Sequence, residues 1–209
     1  MEKFASADYT VGQLNAIVKR MRKQGGFDGV EKFLRGELVL AQPNRPWREE
    51  NGIIYFTVTS DGTTGTEWIT RFERKECYIS ALAKTTLLSK EFKPTSGVTT
   101  EVAVLKGVLF AEGKRYAHNV YEAAKDRSLK KPNAEVSCLI RDKFTDDEIE
   151  AMGIASIIIM HDPIKDSEGD PQLFAIELSD NDAISWLKWS HADPGIGWLQ
   201  SAGFAFGVS

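Results

Sequence analysis

The sequence predicts an α+β fold with a helical N-terminal segment, a mixed or antiparallel sheet, and a C-terminal β-meander. Three observations predict it. Helical periodicity is clearest near the front, β-branched and alternating stretches dominate the rear, and strands and helices interleave irregularly instead of in repeating βαβ units.

Thr10 and Gln13 form a capping box, and Val11, Leu14, Ile17, Val18 and Met21 follow at helical spacing until Gly25-Gly26 stops the helix. Asp28 and Glu31 open a shorter helix that Gly36 ends, so residues 8–36 form a helical subregion within a domain of 1–209. Leu38–Leu40 reads as a first strand. Asn51-Gly52 then joins Trp47–Glu50 to Ile53–Thr59 as a two-residue hairpin. Thr64 and Glu67 cap a helix carrying Trp68, Ile69 and Phe72, and Ser80–Leu88 reads as another helix.

After the punctuation at Lys93–Gly97, Val98–Phe110 is a β-branched strand. Lys114–Arg127 and Asn133–Arg141 are helical, the second opened by Pro132. Thr145 and Glu148 cap a short helix ended by Gly153. Ile154–Met160 is Ile-rich and apolar but for Ser156, as suits a central strand buried on both faces. Gln172–Leu178, Ala183–Trp189 and Phe204–Val208 complete the meander, with a turn at Asp193-Pro194-Gly195.

Composition narrows the class. With 209 residues, 42% apolar and 27% charged, the chain fits one ordinary soluble domain and needs no staples. Cys77 and Cys138 cannot build a disulfide framework, and Met1–Ala7 has no apolar leader run, so the expected location is the cytoplasm. No run is long enough to span a bilayer, which predicts no membrane partner. Charge is lopsided. Residues 1–143 carry 24 Lys+Arg against 18 Asp+Glu, and residues 144–209 carry 2 against 12. Such segregation marks a nucleic-acid face, a metal loop, or two regions that pair with each other.

Five features could carry chemistry. The loop Ser60–Gly65, between a strand and a capped helix, offers Ser60, Thr63 and Thr64 to an anion, although Asp61 would repel it. The same letters also make an ordinary turn and helix cap. His161 and Asp162 end the Ile-rich strand, a usual place for a general acid/base, and Asp61 joins them as a catalytic candidate. Asp162, Asp166, Glu168 and Asp170 alternate in a loop suited to Ca²⁺ or Mg²⁺, or to plain solvation, and no other cofactor is predicted. Lys19, Arg20, Arg22 and Lys23 make a basic helix face for nucleic-acid phosphates, disfavoured for sequence reading because the following helix is short. Finally, Trp186 and Trp189, with Trp198, Phe204 and Phe206, could form an aromatic platform beside the bare face of Gly203, Ala205 and Gly207, or simply fill a core.

The stretches Trp47–Trp68 and Phe92–Gly107, with the closing GFAFGVS, resemble a family of uncharacterised bacterial hypothetical proteins. That resemblance implies a bacterial setting and no activity. With no nucleophile–base or metal signature, the first expectation is a non-enzymatic binding or protein-interaction domain, acting with a protein partner or as a homo-oligomer. The competing class is a hydrolase or phosphate-handling enzyme joining the 60–65 loop to His161 and Asp162. Nucleic-acid binding through the first helix is the third.

Overall fold

The structure is a computed structural model that describes residues 11–38, 45–166, 168–178, 186–192 and 195–208. The chain divides into two units, Met1–Arg45 and Pro46–Ser209. The first holds α1 (Val11–Gly25) and α2 (Gly29–Leu34). Gly26, at φ 78°, turns the chain out of α1, where an L-residue with a side chain would be strained. Thr10 of the predicted capping box and most of the predicted strand Leu38–Leu40 lie outside the described residues.

Among the described residues the second unit is built on a nine-stranded mixed sheet, which confirms the α+β class. Its strands are β1 (Arg48–Glu50), β2 (Ile53–Asp61), β3 (Tyr78–Ile79), β4 (Ser96–Lys106), β5 (Ser156–Ile159), β6 (Ile164–Lys165), β7 (Pro171–Glu177), β8 (Trp186–His191) and β9 (Ala202–Gly207). They run in the order β1-β2-β4-β9-β5-β7-β8-β3, with β6 on β7. The β1–β2 turn matches its prediction: Asn51 and Gly52 have φ 52° and 77°, the two positive values of a type I′ hairpin.

The meander consists of β5, β7 and β8, each antiparallel to the next. β9 does not extend it as the sequence suggested. It crosses back to lie antiparallel to β4 and parallel to β5, closing the gap between the two halves of the sheet. All six of its residues are buried, which a meander edge would not require.

The helices α3 (Gly65–Arg74), α4 (Ala81–Leu87), α5 (Ala117–Lys125), α6 (Val136–Lys143) and α7 (Asp146–Ala151) supply the covering layers. In one core, Ile54, Phe56, Val104, Ile157, Ile159 and Phe174 pack with Trp68, Phe72, Ile140, Phe144 and Ile149. In the other, Leu105, Ile158, Leu173, Phe204 and Phe206 pack with Val120 and Ala124 of α5. Ile158 and its two neighbours in β5 thus serve opposite cores, which is why the strand is isoleucine at all three positions after Ser156.

Distant neighbours cut two predicted elements short. β4 stops at Lys106 because Gly107 enters a 3₁₀ turn pressed on the chain at 199–202, where an added Cβ would lie 2.6 Å from the Gln200 carbonyl. The α5 helix starts only at Ala117 because Tyr116 bridges to Gly197 and the Arg115 carbonyl accepts the Trp198 N–H at 2.8 Å. Among the described residues no helix is long and apolar enough to cross a membrane.

Candidate functional site

The 60–65 loop is occupied by its own fold. Ser60 is buried, its hydroxyl donating to the Val98 carbonyl (3.3 Å) and accepting from the Val98 N–H (3.1 Å). Thr64 caps α3, accepting from the Glu67 N–H while the Glu67 carboxylate accepts from the Thr64 N–H at 2.8 Å. The Asp61 carboxylate accepts from both the backbone and the hydroxyl of Thr63, and Arg71 donates to Asp61 at 3.0 Å and to Thr63 at 2.7 Å. The Thr63 hydroxyl first, and Arg71 beside it, hold the Asp61 carboxyl down at about 2. Arg71 also lies over the Trp68 ring, 4.4 Å from its centroid, and pairs with Asp142. A cleft of about 650 Å³ runs along this flank of α3, but carboxylates already answer two of its three cations.

His161 and Asp162 sit elsewhere. His161 is buried, and both ring nitrogens are committed. Nε2 accepts the Phe174 N–H at 3.0 Å, so Nδ1 carries the proton and donates to the Asp162 carbonyl at 2.7 Å. Burial pushes its pKa down to about 4, so the ring is neutral at neutral pH. A ring whose lone pair holds a backbone amide has no free base to offer a substrate. Asp61 and His161 line two different clefts, so the geometry does not bring together the groups that the hydrolase reading needed to converge.

The acidic loop is likewise self-contained. Asp166 Oδ1 accepts the backbone N–H groups of Glu168 (2.9 Å) and Asp170 (3.0 Å), and Oδ2 accepts from Gln172 Nε2 at 2.9 Å. That carboxylate shapes the turn between β6 and β7. Among the described residues, no three His, Cys, Asp or Glu side chains gather as a metal set.

Trp186 and Trp189 do not share a platform. Three residues apart on β8, they project to opposite faces of the sheet. Trp186 lies against Tyr78 with ring centroids 4.2 Å apart, while Trp189 stacks on Phe174 at 4.7 Å. The face opposite Phe204 and Phe206 is not bare either, since Ala205 is core and an added Cβ on Gly203 would meet Val104 at 2.6 Å. On α1, Lys19, Arg20 and Arg22 are exposed, and Arg22 reaches over the Phe27 ring. The side chain of Lys23 lies outside the described set. The helix that follows, α2, has only six residues with which to read bases.

The structure brings together a second cleft, which none of the sequence signals named as a whole. It measures about 670 Å³ and has three walls: Lys90, Glu91 and Lys93; Pro132, Asn133 and Ala134; and His161 to Lys165. The walls are cross-linked. Asn133 Nδ2 donates to the Lys93 carbonyl at 2.9 Å, and Asn133 Oδ1 accepts the Glu135 N–H at 3.0 Å. The amide and hydroxyl of Thr95 both donate to Glu135 Oε2 at 2.8 Å. Lys131 and Asp162 pair at 2.7 Å, tying the second wall to the third. The carboxyl of Glu135 is buried with Oε1 unpartnered among the described residues, and burial raises its pKa. A sequence signal did exist: the dipeptides Lys93-Pro94, Lys131-Pro132 and Asp162-Pro163 put a charged residue before a proline at or beside each wall.

No family model, curated protein or solved structure matches the chain. The functional reading rests on the chain's own geometry. Neither thiol adds a nucleophile, since burial pushes Cys77 up to about 11 and Cys138 higher still.

Proposed function

We propose that this chain is a non-enzymatic binding domain whose ligand occupies the three-walled cleft between residues 90–93, 132–134 and 161–165. One observation carries the reading: His161, the titratable ring in that cleft, has both nitrogens bound to backbone and serves as wall, not as reagent. What remains is a rigid concavity of about 670 Å³, within the size range of small-molecule sites. Its cross-links fix the walls before any ligand arrives, which lowers the entropy lost on binding. A cytoplasmic setting fits two buried, unpaired thiols.

A thermal-shift panel of nucleotides, sugar phosphates, dicarboxylates and neutral aromatics tests this. At least one member should raise the melting temperature of the wild type, since a ligand bound to the native state alone adds stability by mass action. Pro163→Trp, at an exposed position on the wall, fills the cleft and should abolish that rise. A flat response from the whole panel, or the same rise in Pro163→Trp, refutes the proposal.

A further inference from the structure

The charge on the walls narrows the ligand. Lys90, Lys93 and Lys165 line the cleft from two sides, and among the described residues none of the three has a carboxylate partner. Of the other charges that line the cleft, Asp162 is neutralised by Lys131 and Glu91 is left to oppose the lysines. This is a positive concavity on a chain whose net charge is −4, so it is not a by-product of composition. Like charges gathered around a concave surface of low dielectric repel one another, and an anion relieves that repulsion.

The floor is different in kind. Pro132, Ala134 and Ile164 are buried, and the His161 ring beside them is uncharged. A fully inorganic anion would leave that apolar floor wet, and a neutral apolar molecule would leave the lysines unanswered. The residue type on the rim matters too. Lysine is a point charge on a flexible stem without the planar fork of arginine, so it suits phosphate or several carboxylate oxygens approached from different directions.

We propose that the cleft binds an organic anion: a flat apolar or aromatic body lying on the 132–134 and 161–164 walls, carrying phosphate or sulfonate-like charge that meets Lys90, Lys93 and Lys165. This rests on the binding-domain reading above. The lysine stems lie along the walls, and their ammonium groups are the recognition elements. Asn133, held by Lys93 and Glu135, keeps the first two walls at a fixed distance.

Isothermal titration of the full chain with ATP, adenosine, tripolyphosphate and a naphthalene disulfonate tests the assignment. ATP or the disulfonate should bind, more tightly than adenosine or tripolyphosphate, and more weakly as salt rises. The triple variant Lys90→Ala, Lys93→Ala, Lys165→Ala changes three exposed side chains and should keep the wild-type circular dichroism while losing affinity by roughly tenfold or more. Adenosine binding as tightly as ATP, with Pro163→Trp abolishing both, overturns the anion assignment and leaves the binding domain standing. Tripolyphosphate binding as tightly as ATP overturns the apolar body. Undiminished affinity in the triple variant overturns the site. No binding by any of these four probes overturns the organic-anion assignment, while the binding-domain reading falls with a flat response from the whole thermal-shift panel.

Discussion

His161 shows how a residue can look catalytic in sequence and be structural in space. A histidine before an aspartate at the end of a buried strand is what a general base resembles, yet here the ring replaces a missing strand partner for the Phe174 amide. Its folded pKa of about 4 lies below the ordinary 6.5, so the unfolded chain takes up a proton first as pH falls. The neutral ring therefore contributes stability above pH 6.5 that is lost on acidification through 6.5 towards 4, up to about 3 kcal/mol. Gln at this position keeps an acceptor for Phe174 and a donor for Asp162 but does not titrate. His161→Gln should flatten that part of the stability-versus-pH curve in urea titrations, and an unchanged acid slope would refute the assignment. At this scale the two capping threonines, Thr64 and Thr145, were legible because their partners lie three residues away. The wall lysines were not, since Lys90 and Lys165 are 75 positions apart and only the fold brings them together.

Elements whose signals are local came through with their ends nearly intact: the Asn51-Gly52 hairpin and the capped starts of α3 and α7. Elements whose ends are set by distant neighbours did not. Gly107 and Tyr116 end one element and delay the next because of the chain at 197–202, which no window around them contains. Gly65 is a similar case that can be tested. It opens α3, and a Cβ there would overlap the Leu87 backbone carbonyl at the end of α4. Backbone cannot rotate away as a side chain can. Gly65→Ala should lower stability by about 2–3 kcal/mol despite its better helix propensity. A neutral or stabilising effect in chemical denaturation would show that α4 is not held against α3.

For the whole molecule, the α+β class was legible but the strand order was not, because a strand's own pattern of residues does not name its neighbours. The charge asymmetry along the sequence is answered in part by pairs that cross its boundary, Lys131–Asp162 and Arg141–Asp146. Among the described residues, both hydrophobic cores are drawn from the chain after Arg45. Residues 46–209 expressed alone should therefore give a cooperative thermal transition, and a broad, non-cooperative melt would contradict it. The position of β9 has a consequence for biosynthesis. Residues 202–207 are synthesised after β4 and β5, yet those two strands have no sheet neighbour on the facing sides until they arrive. A nascent chain halted before that point would carry two bare hydrogen-bonding edges around an unfilled central slot. Premature termination before residue 202 would therefore be a route to aggregation.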